Sequence, residues 1–189
     1  MSTPALLIVD VQQGFDNADY WGPRNNPQAE TNIARLIAAW RHANRPLIHV
    51  QHNSTNPQSP LRPNQPGNHL KPEATPLPHE PLFTKTVNSA FIGTNLETYL
   101  HQHNITHLVI VGLTTDHCIS TTTRMAANLG FTTTLIADAT ATFDRLGPDG
   151  TPYTAHQIHQ IHLASLNEEF CTVLTTDDIL ATLPSGETT

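Results

Sequence analysis

A run of five apolar residues, Ala5 to Val9, lies near the start of the 189-residue chain and ends at a carboxylate, Asp10. Uninterrupted runs of this length are typical of strands buried on both faces of a parallel sheet. Apolar residues then recur at helical spacing over about residues 28–43. This strand–helix alternation repeats five or six times along the chain. It predicts an α/β protein, a three-layer α/β/α sandwich with a mostly parallel, Rossmann-like six-stranded sheet.

The other elements follow from the same patterns. Thr94 and Glu97 have the spacing of a capping box, Gly130 suits the residue after a helix, and Thr151 and Pro152 suit the first two positions of another helix. The predicted strands lie at 46–50, 107–111, 131–137 and 170–174, and the predicted helices at about 95–103, 117–129, 152–167 and 176–183.

A single domain over residues 1–189 accounts for this pattern. Eight of the fifteen prolines lie between Pro57 and Pro81, which predicts an irregular loop over about residues 53–81. A loop of that length inside a compact domain is usually functional or disordered.

Composition excludes several classes of protein. Lys plus Arg is 9 against 16 for Asp plus Glu, a formal charge of −7, which argues against a nucleic-acid partner. No stretch approaches the roughly 18 apolar residues of a membrane span. The two cysteines cannot form a disulfide framework, and the first residues lack the basic region of a signal peptide. We therefore expect a cytoplasmic protein that acts on a small molecule.

Three chemically active side chains follow predicted strands. Asp10 ends the first strand, Lys85 follows a short apolar run, and Cys118 lies six residues after Gly112. Singly, each has an ordinary explanation: a capping carboxylate, a solvated lysine and a buried structural cysteine, which is the interpretation we adopt for Cys171. Because the carboxyl ends of parallel strands meet at one edge, we expect the three to lie together, with Asp10 as a base for the thiol.

Cys118 is predicted to begin a helix. Helix N-termini favour a thiolate and Lys85 would do the same, while Asp10 opposes it, and we expect the thiol pKa to lie below the ~8.5 of a free cysteine. Replacing a buried Asp10 carboxylate by an amide is expected to leave stability unchanged or improved.

Four segments resemble the isochorismatase-like cysteine hydrolases, which include nicotinamidases, N-carbamoylsarcosine amidases and ureidoacrylate hydrolases. They are LLIVDVQQGF, the K–SAF–GT–L pattern from Lys85 to Leu96, VGLTTDHCISTT and LIADAT. The resemblance implies a catalytic triad of Asp10, Lys85 and Cys118. It also implies a cis peptide between Leu113 and Thr114, an oxyanion hole built from the Thr114 and Cys118 amides, and a homo-oligomer (a dimer or tetramer).

The metal site of nicotinamidases has no counterpart in the sequence. Those enzymes carry an Asp-x-His…His arrangement after the second strand, where this chain has His52 and Ser54. The resemblance is therefore to the metal-free branch, and we expect no metal and no cofactor. His52 is either a substrate contact or a capped loop histidine. A second set, His156, His159 and His162, is either a chelating stripe or a solvated helix face.

Aromatic residues flank the proposed catalytic segments. Phe15, Trp21 and Phe91 are candidates for the wall of a substrate pocket, and filling core volume is the alternative. The sequence thus favours hydrolysis of a C–N bond in a small amide or ureido group through a thioester on Cys118. Three alternatives stay open: a vinyl-ether hydrolase of the isochorismatase type, a non-catalytic binding module on the same fold, and a redox-sensing thiol.

Overall fold

Eight strands and six helices make up the fold in a computed structural model, which describes residues 3–183. The strands are β1 (Ala5–Val9), β2 (Leu47–His52), β3 (Leu82–Lys85), β4 (His107–Leu113), β5 (Thr132–Ala141), β6 (Arg145–Leu146), β7 (Pro152–Tyr153) and β8 (Thr172–Leu174). The helices are α1 (Ala18–Trp21), α2 (Ala29–His42), α3 (Leu96–Gln102), α4 (Ser120–Asn128), α5 (Ala155–Leu166) and α6 (Thr176–Ala181).

Six strands form one sheet in the order β3-β2-β1-β4-β5-β8, and every neighbouring pair is parallel. The side chains of β1 alternate between two hydrophobic cores: Leu7 and Val9 enter one, Leu6 and Ile8 the other. Residues of α3, α4 and α5 cover the first face, and residues of α2 and α6 cover the second. The three-layer sandwich is confirmed.

The chain changes direction across the sheet between β1 and β4. From β1 it moves outward to β2 and β3, then returns to the other side of β1 to form β4. In such sheets ligands bind beyond the carboxyl ends of the strands at this switch point. Asp10 directly follows β1, and the segment that carries Cys118 directly follows β4.

The starts of two helices outside the Cys118 segment differ from their predictions. Pro152 does not begin a helix, because it pairs with Leu146 in the β6–β7 hairpin. The helix begins at Ala155, with Thr154 as N-cap in a capping box. Thr94 does not form a capping box with Glu97 either: α3 starts at Leu96, and the Thr94 hydroxyl accepts a hydrogen bond from the Leu96 N–H.

The proline-rich segment is packed against the rest of the domain. Two 3₁₀ turns, Pro66–Asn68 and Pro72–Ala74, interrupt it. Asn68 is buried and donates to the backbone carbonyls of His52 and Leu61. The predicted loop is therefore an ordered cover beside the ends of β1 and β2. Within the described residues, no helix is long and apolar enough to cross a membrane.

Gly112 lets β4 approach β1 closely at the point where the active segments begin. Its φ is +126°, and a Cβ on it would lie 1.9 Å from the Val9 carbonyl oxygen. Since Val9 is the last residue of β1, a larger side chain here would push the two central strands apart.

Gly112→Ala is expected to destabilise the protein by about 3 kcal/mol or more, because the new methyl group meets backbone that cannot move away. Gly130→Ala is the matched control: its φ is +90°, but no atom lies within 4 Å of the added Cβ, so only about 1–2 kcal/mol of backbone strain is expected. Urea unfolding of the two variants measures the difference. Equal losses of stability would show that the close approach to Val9 does not matter.

Candidate active site

Asp10, Lys85 and Cys118 come together at the switch point. The Lys85 Nζ lies 2.6 Å from the Asp10 Oδ2 and 3.3 Å from the Cys118 Sγ. Asp10 and Lys85 have fully buried side chains, and Cys118 is also buried. The ammonium thus stands between a carboxylate and a thiol, all three in contact and shielded from solvent.

The second oxygen of Asp10 is not used structurally. Oδ1 is buried, and none of the described residues hydrogen-bonds to it. Leaving a carboxylate oxygen without a partner in the interior is costly. The carboxylate can accept a proton from the neighbouring thiol, since Asp10 and Cys118 are close enough to interact directly.

Cys118 lies in a single turn of π-helix, Thr115–Ile119, which leads into α4. The helix predicted from residue 117 therefore starts three residues later, at Ser120. The Leu113–Thr114 peptide bond before the turn is cis, which is the bond and geometry that the resemblance implied. Behind the turn, the Thr115 hydroxyl lies 2.9 Å from the Nδ1 of the buried His159. This contact with α5 holds the first residue of the turn.

The pKa of the Cys118 thiol is raised, not lowered. Burial is the main cause, and the Asp10 carboxylate acts in the same direction, while Lys85 opposes both. The predicted low pKa is wrong because the desolvation of the buried sulfur, added to the effect of the Asp10 charge, outweighs the helix N-terminus and Lys85. The resting cysteine is a neutral thiol that needs a base to become a nucleophile.

His52 completes the surroundings of the ammonium. Its Nδ1 lies 3.0 Å from the Lys85 Nζ, and its pKa is lowered by burial and by the charge of Lys85. The imidazole is therefore neutral near pH 7. His52 also lines the cavity that opens onto Cys118.

This cavity has a volume of about 240 Å³. Phe15 and Trp21 line it, with ring centroids 5.0 Å apart, as the sequence predicted for a pocket wall. Phe91 is not one of the lining residues: its ring stacks on Phe131 in the core, so its position is one of packing. The other lining residues are Tyr20, His52, Ser54, Asn56, Ser59, Leu61, Asn88, Thr114, His117 and Cys118.

One group of three potential metal ligands occurs among the described residues. Asp10, His52 and Cys118 each offer an atom, and these atoms lie within 4.8 Å of one another. The Lys85 ammonium contacts all three residues. A positive charge therefore already fills the space that an ion would need, and the group does not fit a resident metal.

The histidine stripe on α5 divides into different environments. His156 is exposed, whereas His159 is buried. Burial lowers the pKa of His159 to about 4. These histidines do not form a potential metal-binding group among the described residues. The alternative prediction, a solvated helix face, is right for His156 but wrong for His159.

Sequence reasoning missed several residues around the site. Gln12 and Asn68 are buried amides that bind the backbone at His52, His159 supports Thr115, and Asn88 lines the cavity. The burial of Gln12 could have been predicted from the sequence. It lies three residues after the apolar run that ends at Val9, and a polar residue buried there is expected to have a hydrogen-bond partner.

Similar proteins identify the family of this chain. The isochorismatase domain family matches residues 4–178. YrdC of Bacillus subtilis (strain 168), described as an uncharacterized isochorismatase family protein, is 51% identical over 176 residues, covering 93% of this chain and 94% of YrdC. Ureidoacrylate amidohydrolase RutB of Rhizobium rhizogenes (strain K84) is 32% identical over 117 residues, covering 62% of this chain and 44% of RutB.

A solved structure indicates the same family. The crystal structure of an isochorismatase-family protein from Chromobacterium violaceum ATCC 12472 has a TM-score of 0.91 and 45% identity, covering 95% of this chain and 92% of that one. The matched region includes β1 to β5 and the residues between them, so that Asp10, Lys85 and Cys118 all fall within the family's domain. The chain belongs to the isochorismatase family of hydrolases.

Proposed function

We propose that this hydrolase cleaves the C–N bond of a small carboxamide or ureido group through a thioester on Cys118. The observation that carries the proposal is the Lys85 ammonium, 2.6 Å from the Asp10 Oδ2 and 3.3 Å from the Cys118 Sγ. This arrangement provides a nucleophile, a base and a fixed positive charge beside a cavity that Cys118 helps to line.

The first step is attack by sulfur. Because the thiol pKa is raised, the proton must leave as the S–C bond forms, and the free Oδ1 of Asp10 is its acceptor. Lys85 offsets the charge that moves from the carboxylate to the sulfur. The carbonyl oxygen, now an oxyanion, is stabilised by the Thr114 and Cys118 backbone N–H groups in this proposal.

The second step releases the amine. Asp10 returns the proton to the nitrogen as the C–N bond breaks, which leaves an acyl thioester on Cys118. A water molecule, deprotonated by the same carboxylate, then attacks the thioester carbonyl. The S–C bond breaks, the acid leaves, and the thiol recovers its proton.

The cavity favours an uncharged substrate. Aromatic rings and neutral polar groups line it, and no arginine or lysine is among the described lining residues. Lys85 is fully buried beneath it and already paired with Asp10. A flat, neutral acyl group of a few carbon atoms, packed beside Trp21, suits these walls and a volume of about 240 Å³ better than an acyl group with its own carboxylate.

Vinyl-ether hydrolysis of the isochorismatase type remains the alternative within the family. The contact between the Lys85 ammonium and the Cys118 sulfur favours amide chemistry, since protonation of a vinyl ether needs no thiol. RutB, named as an amidohydrolase, is a relative with the proposed class of reaction. A non-catalytic binding module would bind such amides without releasing ammonia.

Cys118→Ala is expected to reduce ammonia release from a panel of small neutral amides by about three orders of magnitude or more, because the covalent step is lost. A coupled ammonia assay measures the loss. Cys171→Ala is the matched control, since this second buried cysteine lies in the core away from the cavity, and its turnover should match that of the unaltered protein. Substantial turnover by a folded Cys118→Ala variant would refute nucleophilic catalysis.

Asp10→Asn should separate thiol ionisation from catalysis. The Asp10 charge raises the thiol pKa, so its removal should lower that pKa, increase the thiolate fraction and make iodoacetamide alkylation of Cys118 at pH 8 about tenfold faster or more. Turnover should fall about 10²- to 10⁴-fold because the base is missing. Turnover retained by the folded variant would contradict the role of Asp10 as base, and slower alkylation would contradict the effect of its charge on the thiol pKa.

The same variant should be less stable. Its Lys85 would be a buried cation without its carboxylate, a loss that typically costs about 3–5 kcal/mol. The contact with Lys85 reverses the expectation, drawn from the sequence, that the amide would be neutral or stabilising. Urea unfolding measures the effect, and unchanged stability would contradict the expectation.

Activity is expected to survive exhaustive EDTA treatment, because the Lys85 ammonium occupies the space among Asp10, His52 and Cys118. Ammonia release before and after chelation, together with elemental analysis, tests this. A metal present at one equivalent, lost together with activity and restored by adding it back, would overturn the expectation.

A further inference from the structure

Buried amide side chains clamp the backbone at the end of β2. The Gln12 side chain accepts a hydrogen bond from the His52 N–H at 2.9 Å and donates to the His52 carbonyl at 3.0 Å. Asn68 donates to the same carbonyl at 3.0 Å. Gln12 has no exposed surface, and Asn68 is buried. The chain therefore uses two buried amides to fix one residue, His52.

The sheet register places the clamped residue beside Lys85. His52 and Lys85 are partners in the parallel pairing of β2 with β3, and the Nζ–Nδ1 distance is 3.0 Å. An ammonium group has three N–H donors and no acceptor. Those of Lys85 have three neighbouring acceptors: the Asp10 Oδ2, the His52 Nδ1 and the Cys118 Sγ. Each of the three N–H bonds therefore has one acceptor within hydrogen-bond distance.

The neutral state of His52 follows from its surroundings. The titratable groups that face it are Asp10, Lys85 and Cys118, and its ring also hydrogen-bonds to the Val87 backbone. An Nδ1 that accepts from an ammonium leaves the ring proton on Nε2, the atom that can donate to a carbonyl. A protonated ring would instead place a second cation beside Lys85 and remove an acceptor.

We propose that His52 is a positioning residue, whose neutral imidazole holds the Lys85 ammonium between Asp10 and Cys118. The role rests on the proposed function, in which Lys85 stabilises the ionised sulfur. It differs from a direct substrate contact, because its effect on the thiol exists in the absence of substrate. Ionisation of Cys118 in the free enzyme is thus the property to measure.

Iodoacetamide alkylation of Cys118 over a range of pH tests the proposal without any substrate. In His52→Ala and His52→Leu the ammonium loses an acceptor, so the thiol pKa should rise and alkylation at pH 8 should slow about tenfold. His52→Asn keeps an acceptor, since its Oδ1 can take the place of the ring Nδ1, and should react within about threefold of the unaltered protein. His42→Ala removes an exposed histidine on α2 and serves as the control.

Folding and turnover complete the test. Thermal melting selects the folded variants, and His52→Leu retains side-chain volume where His52→Ala leaves a cavity. With an amide from the panel, His52→Ala and His52→Leu should lower kcat and leave KM unchanged, and His52→Asn should restore kcat.

Normal alkylation in a folded His52→Ala or His52→Leu variant, or a raised KM with normal kcat and alkylation, would overturn the proposal. A folded His52→Asn variant that is alkylated as slowly as His52→Ala and His52→Leu would also overturn it. If no amide is turned over by the unaltered protein, the proposed function fails, and the alkylation rates still decide the role of His52.

Discussion

The contact of the Lys85 ammonium with the Asp10 carboxylate and the Cys118 sulfur is the interaction on which the site depends. A buried carboxylate and a buried ammonium are each expensive alone, and together they offset much of that cost. The thiol lies beside both charges, so its ionisation responds to each. Burial and Asp10 keep it protonated at rest, while Lys85 is placed to stabilise the anion once the proton has moved. In the proposed mechanism the sulfur is therefore nucleophilic only when its proton has an acceptor.

The sheet supplies this contact through strand order and not through sequence proximity. β1 and β4 are neighbours although about a hundred residues separate them, and β3 lies two strands from β1 on the other side. Gly112 brings β4 close to Val9 just before Asp10, and the Lys85 side chain reaches from β3 past the end of β2 to Asp10. The amides of Gln12 and Asn68 hold that end of β2, so the cover formed by the proline-rich segment is part of the same support.

Much of this could be predicted from the sequence, and the limits have physical causes. The uninterrupted apolar runs specify strands buried on both faces, and parallel strands bring their carboxyl ends together, so that Asp10, Lys85 and Cys118 were predicted as neighbours. The direction of the shift in the thiol pKa was not predicted, since it depends on the burial of the sulfur and on its distance to Asp10. The burial of His159 was not predicted either, because it depends on a tertiary contact between α5 and Thr115.

Two histidines contact residues of the site, and both are suited to this position because their rings are uncharged. His52 meets the ammonium from β2, and His159 meets Thr115 from α5. Burial lowers the pKa of both rings, so that at neutral pH each is an uncharged ring with one donor and one acceptor nitrogen. An uncharged acceptor orients an ammonium without neutralising it, which a second carboxylate beside Asp10 would do. The positive charge of Lys85 therefore stays available to the sulfur, and this requirement favours imidazole over carboxylate at the end of β2.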